Sequence, residues 1–180
     1  MRALVVTCSN RAATGVYEDA AGPRIVQRLR TLGFDVDDPT VVPDGLPVQE
    51  ALREAVDLGF DLVITTGGTG ISPTDETPEV SRSVIDLEIP GIAEAIRAHG
   101  IQAGVPTAML SRGLAGLADR TLIINLPGSV GGVKDGLTVL EPVLVHAIDQ
   151  VRGLDHARVD HDRGGVEQGE STTATEGDIS

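Results

Sequence analysis

Three segments of the chain are apolar runs that do not alternate: Ala3 to Cys8, Phe60 to Thr66 and Thr121 to Leu126. A strand with one wet face alternates apolar and polar residues, whereas a strand covered on both faces does not. The runs therefore predict central strands of a parallel sheet with helices packed on both sides. Phe34 to Val42 is weaker and alternates in part, which suits a strand nearer an edge. Helical stripes lie between these runs. Ile25, Val26, Leu29 and Leu32 share one face and stop at Gly33; Val48, Leu52 and Val56, with Ala51 and Ala55, stop at Gly59. Ile92, Ala95 and Ile96 mark a third helix ending near Gly100. Leu137, Leu140, Leu144, Ala147, Ile148 and Val151 form the longest stripe, which Pro142 should bend or split. Strand–helix alternation predicts an α/β fold, a three-layer α/β/α sandwich with a mostly parallel central sheet.

The core must be aliphatic, because aromatic residues make up only 2% of the 180. Residues 1–153 are expected to form one domain. From Asp155 to Ser180 there are seven acids, two arginines and almost no large apolar side chains. That composition cannot offset ordering entropy, so 154–180 is expected to be an acidic, disordered tail. It carries −5 of the net −13, leaving −8 for the rest. A chain this acidic has no basic footprint for nucleic acid. No apolar run reaches membrane-spanning length and no signal-type segment opens the sequence. With a single cysteine, Cys8, a disulfide framework is excluded and a cytoplasmic location is expected. The four histidines show no metal-ligand spacing.

In open α/β sheets, ligands bind at the C-terminal ends of the strands. Each expected strand here empties into an unusual loop. Cys8-Ser9-Asn10-Arg11 follows the first, Pro43-Asp44-Gly45 the second, and Gly67-Gly68-Thr69-Gly70-Ile71-Ser72-Pro73-Thr74-Asp75 the third. Pro127-Gly128-Ser129 follows the last. The glycine loop is neither a Walker P-loop nor a dinucleotide fingerprint. Its glycines allow positive φ and close approach of amides to an anion, and Thr69 and Ser72 add short donors. Thr77 and Pro78 read as N-cap and N1 of a following helix, whose N-terminus also favours an anion. Asp75 would repel phosphate unless a metal ion or a reacting group stands between them. Asp44 alone is a turn aspartate; beside Asp75 it becomes a second acid for Mg²⁺ or for orienting a substrate. Ser9 and Arg11, and again Ser111 and Arg112, place a hydroxyl and a guanidinium together, for phosphate or for a surface salt bridge. Lys134, the only lysine, falls in a first helical turn. It opposes the helix dipole there unless it faces a phosphate, and an exposed, indifferent lysine fits equally well.

Together these residues resemble the molybdopterin adenylyltransferase family (MogA/MoaB). The resemblance covers about residues 3–151. It rests on Thr66-Gly67-Gly68-Thr69-Gly70, on Asp75-Glu76-Thr77-Pro78-Glu79 and on Leu126-Pro127-Gly128-Ser129. Val42-Pro43-Asp44, Leu110-Ser111-Arg112, Gly15 and Asp19 add to it. It implies transfer of AMP from ATP to the terminal phosphate of molybdopterin, with release of pyrophosphate. It further implies Asp44 and Asp75 as catalytic acids and Mg²⁺ ligands, a homotrimer, and hand-over to a molybdenum-insertion protein. The alternative is a paralogue that binds molybdopterin or a nucleotide without catalysis. Two positions depart from the family pattern: Asn10, where Asp is usual, and Val130, where Pro is common.

Overall fold

The computed structural model describes residues 1–16 and 18–154; the acidic tail from Asp155 onward lies outside them. In chain order the elements are β1 (Arg2–Cys8), α1 (Asn10–Ala13), α2 (Gly22–Thr31), β2 (Asp35–Val36), β3 (Thr40–Val42) and α3 (Leu46–Asp57). There follow β4 (Leu62–Thr66), α4 (Thr77–Arg82), β5 (Leu87–Glu88), α5 (Pro90–Gln102), a 3-10 turn (Pro106–Leu110), β6 (Ala115–Ala118), β7 (Thr121–Leu126) and α6 (Val130–Val151). The sheet order is β2-β1-β4-β7-β6-β5, with β3 also paired to β1. Strands β1, β2, β3, β4 and β7 run parallel, while β6 and β5 add an antiparallel edge.

The non-alternating runs form the central strands because both their faces are dry. Alternate residues serve opposite layers. Val5, Ile64 and Ile124 pack with Ile25 and Leu29 of α2 and with Leu140 and Leu144 of α6. Val6, Val63 and Ile123 pack with Val48 and Leu52 of α3 on the other side. Full burial of each such aliphatic side chain contributes about 1.5–3 kcal/mol, which is how a core nearly free of aromatics holds three layers together. No helix among the described residues is long and apolar enough to cross a membrane.

Four expectations need adjustment. Phe34 to Val42 is not one strand. β2 pairs with the start of β1 and β3 with its end, and Pro39, which lacks an N–H, stands between them. Pro142 does not split the last helix, which runs unbroken through it. The third helix passes Gly100 and ends at Gln102, where Gly104 with φ +87 supplies the stop. The short helix α4 begins one residue earlier than read, with Glu76 at the N-cap and Thr77 already helical.

Candidate active site

Strand register builds the site before any side chain contributes. Cys8 pairs with Val42, Thr7 with Thr66, and Thr66 with Leu126. The exits of β1, β3, β4 and β7 therefore stand in one row, and their four loops share one edge. The loops pack backbone against backbone. The Gly67 amide donates to the Leu126 carbonyl at 3.1 Å and the Thr66 hydroxyl to the Pro127 carbonyl at 2.8 Å. Gly67 and Gly68 have φ of +102 and +61, in the region that favours glycine. A Cβ at Gly67 would overlap the Cys8 carbonyl, and one at Gly68 would overlap the Asp44 carboxylate and the Thr77 hydroxyl.

This crowding leaves amides over. Among the described residues, the N–H groups of Gly68, Thr69, Gly70, Gly128 and Ser129 donate to no protein acceptor. The Ser129 side chain caps α6 by accepting from Gly132 at 3.0 Å, so the helix N-terminus opens at the same place. Five uncommitted amides beside a helix start make a cradle for phosphate oxygens.

Asp44 and Asp75 line one cleft of about 590 Å³ with Ser9, Arg11, Gly67, Gly68, Gly128 and Ser129. Their chemistry differs. Asp44 Oδ1 accepts from the Gly45 amide and the Thr77 hydroxyl, both at 2.7 Å, and Oδ2 accepts from the Glu76 amide at 3.1 Å. Its own amide donates to Asn10 Oδ1 at 3.1 Å. Asp44 thus ties the β3–α3 loop to the start of α4. Asp75 Oδ2 accepts only from the Ser72 amide at 2.9 Å, and its Oδ1 takes no hydrogen bond among the described residues. A second, more apolar cleft of about 560 Å³ shares Gly67, Gly68, Asp75, Gly128 and Ser129 and continues over Thr69, Gly70, Ser111 and Pro127. Ile71, Ile96, Val105 and Leu110 line its far part. The glycine loop is the wall between the two.

Four expected site residues go elsewhere. The Ser72 amide holds Asp75, but Ser72 lines neither cleft. Thr77 is fully buried with its hydroxyl on Asp44. Arg112 lies outside both clefts, its guanidinium turned onto backbone carbonyls and Glu79. Lys134 lines a separate groove between α2 and α6 with Arg24 and Arg28, so no phosphate in the cleft offsets its place near the helix start. Asp19, in contrast, reaches the first cleft without having been read as a site residue. It accepts from the Thr7 hydroxyl at 2.7 Å and from the amides of Ala21 and Gly22 at 3.0 Å. Its position just before Gly22-Pro23, a helix-start pattern, was the available signal.

Cys8 also borders the cleft but is no nucleophile. Burial pushes its thiol up to about 12, and the Asp44 carboxylate adds to that. Among the described residues no group of three or more His, Cys, Asp or Glu side chains could hold a metal ion. One open carboxylate oxygen at Asp75 fits Mg²⁺ nonetheless, since that ion is commonly held by one or two carboxylates together with substrate phosphates.

Fold and site together define an α/β protein with a cleft at the C-terminal edge of its sheet, lined by acids and by amides that donate to no protein acceptor. Residues 4–146 match the family described as "Probable molybdopterin binding domain", and the chain belongs to that family. A solved MogA structure is 57% identical with a TM-score of 0.82, covering 84% of this chain and 99% of that one. The molybdopterin adenylyltransferase of Pyrococcus furiosus is 36% identical over 82% of this chain and 89% of its own length. The molybdenum cofactor biosynthesis bifunctional protein of Synechococcus elongatus is 37% identical over 87% of this chain, which spans 49% of that longer protein.

Proposed function

We propose that this chain is a molybdopterin adenylyltransferase of molybdenum cofactor biosynthesis. It transfers AMP from ATP to the terminal phosphate of molybdopterin and releases pyrophosphate. The observation that carries this reading is that Asp44 and Asp75 line one cleft together with the uncommitted amides of Gly68, Gly128 and Ser129, while those of Thr69 and Gly70 continue into the adjoining cleft. Relatives named molybdopterin adenylyltransferase, matched over most of their length, support the choice of substrate.

The attacking group is a phosphate oxygen, already ionised at neutral pH, so the site needs no strong base. The chain's work is positioning and electrostatics. Amides of Gly68, Thr69 and Gly70 on one loop and Gly128 and Ser129 on the other hold phosphate oxygens of the two substrates. Asp44 keeps the start of α4 in register with the β3–α3 loop, and the open oxygen of Asp75 would hold Mg²⁺. When bound, Mg²⁺ supplies neutralisation of charge on the triphosphate. The same proposal includes a homotrimer, a cytoplasmic location and hand-over of the product to a molybdenum-insertion protein.

The test is pyrophosphate release from ATP with and without molybdopterin, with mass detection of the AMP–molybdopterin adduct. Release that depends on the pterin, and that collapses in Asp75→Asn, is the expected result. Tight pterin binding with no pyrophosphate formed would make the chain a non-catalytic binding paralogue.

A further inference from the structure

The segment from Gly70 to Asp75 has little to hold it. Ile71, Ser72, Pro73 and Thr74 are all exposed, so burial does not fix the loop that carries Asp75. Its internal bonds, Ser72 amide to Asp75 carboxylate and Asp75 amide to Ser72 carbonyl, shape a turn without anchoring it to the fold. The anchor comes from Arg112, which follows the 3-10 turn. Its amide donates to the Thr69 carbonyl at 2.8 Å. Its Nε donates to the Gly70 carbonyl and its Nη2 to the Asp75 carbonyl, each at 2.6 Å, while Nη1 pairs with Glu79 in the first turn of α4. One rigid fork thus grips both ends of the loop and the helix after it.

We infer that Arg112 is a positioning residue: it sets where the Asp75 carboxylate stands relative to the amide cradle, and it does not bind substrate. Each guanidinium nitrogen spends one of the group's five N–H donors on this grip, and the side chain lines neither cleft, which keeps it on the loop and off the substrates. The Glu79 pair alone is too exposed to account for the arrangement, since such pairs are worth about 0–1 kcal/mol. The planar, five-donor geometry is what spans two carbonyls and a carboxylate at once; a lysine ammonium in the same place serves one of them at a time.

The consequence for catalysis rests on the adenylyl-transfer reading, and the test separates the two. In Arg112→Ala and Arg112→Lys, kcat is expected to fall about 10- to 100-fold, the scale on which ångström misplacement acts, while KM for ATP stays close to wild type. Millimolar guanidinium ion is expected to return part of the lost kcat to Arg112→Ala. In ligand-free protein, amide hydrogen exchange over residues 70–76 is expected to quicken in Arg112→Ala while β4 and β7 keep their protection. If Arg112→Ala does not fold, Arg112→Lys, which keeps the charge and most of the stem, carries the same measurements. A raised KM with unchanged kcat, full activity in Arg112→Lys, or unchanged exchange over 70–76 overturns the inference. A wild-type protein that releases no pyrophosphate overturns the adenylyl-transfer reading, and loop exchange then decides the role of Arg112 alone.

Discussion

The two aspartates of the cleft should respond differently to the same conservative change. Asp44 carries three donated hydrogen bonds on two oxygens, from Gly45, Thr77 and Glu76. Asparagine offers one oxygen. If it takes the Oδ1 place it keeps Gly45 and Thr77, but its NH₂ then faces the Glu76 amide, donor against donor. In the reversed orientation the NH₂ faces the Gly45 amide, while the Thr77 hydroxyl can turn to accept from it. Either way one hydrogen bond is lost; in the first orientation the unmet donor is the exposed Glu76 amide, within reach of water, so the net cost is about 0.5–1.5 kcal/mol. For a chain of this size that lowers Tm by roughly 1–6 °C, at about 2–4 °C per kcal/mol. Asp75 accepts a single protein bond, from Ser72, which the oxygen of an asparagine can take over. Its replacement should stay within about 0.5 kcal/mol of wild type and yet reduce turnover by roughly 10²-fold or more, as loss of a preorganised electrostatic group does. Thermal melts of Asp44→Asn and Asp75→Asn, read beside pyrophosphate release, check both halves. Equal destabilisation by the two substitutions, or wild-type turnover in Asp75→Asn, would refute the division of labour drawn here.

Three further outcomes are expected. Gly68→Ala places a methyl on the Asp44 and Thr77 oxygens and asks an L-residue to hold φ +61; it should cost at least about 1–2 kcal/mol by denaturant melting and abolish turnover. Burial pushes the Asp61 carboxyl up, but the Arg2 amide, the Arg152 guanidinium and the N-terminal ammonium outweigh it and hold the group below its ordinary 3.8. Its stabilisation is therefore complete above pH 3.8 and lost as pH falls through the lower folded value, so wild-type and Asp61→Asn melting curves should differ at pH 7 and converge in acid. Chelation with EDTA should stop pyrophosphate release and added Mg²⁺ should restore it, whereas turnover unaffected by EDTA would remove the metal role given to Asp75.

The central strands and the location of the site were legible because each rests on a local signal. Continuous apolar runs such as Leu62 to Thr66 specify burial on both faces, and parallel strands that end in register deliver their loops to one edge. Three kinds of feature were not legible. Ala115–Ala118 and Leu87–Glu88 form the antiparallel edge from short or small-residue segments with little intrinsic strand signal. Thr77 has the composition of a cap, but the presence of Asp44 across the loop, known only in three dimensions, recruits its hydroxyl. Arg112 and Lys134 looked alike as cations near polar loops. What separates them is the company they meet, carbonyls of Gly70 and Asp75 in one case and a groove beside Arg24 in the other, and such partners leave no trace in a single sequence.

The charge of the cleft accounts for its reliance on backbone amides. Among the described residues Arg11 is the only basic one lining it, against Asp19, Asp44 and Asp75. A site meant to attract two polyanions by side-chain charge would have the opposite balance. Two of the three acids, however, are already occupied: Asp19 by a hydroxyl and two amides, Asp44 by two amides and a hydroxyl. These donors offset much of the repulsion that the two carboxylates would direct at a phosphate. In the proposed reaction, neutral amides would bind phosphate oxygens without adding charge that would have to be shed with the product. Asp75 is the one carboxylate of the three with an oxygen that accepts no hydrogen bond among the described residues, and among residues 71–74 no side chain is buried to keep it in place. The geometry of the reacting centre therefore depends on how firmly one exposed loop is held from outside, which makes Arg112 a sensitive point in a site that it does not line.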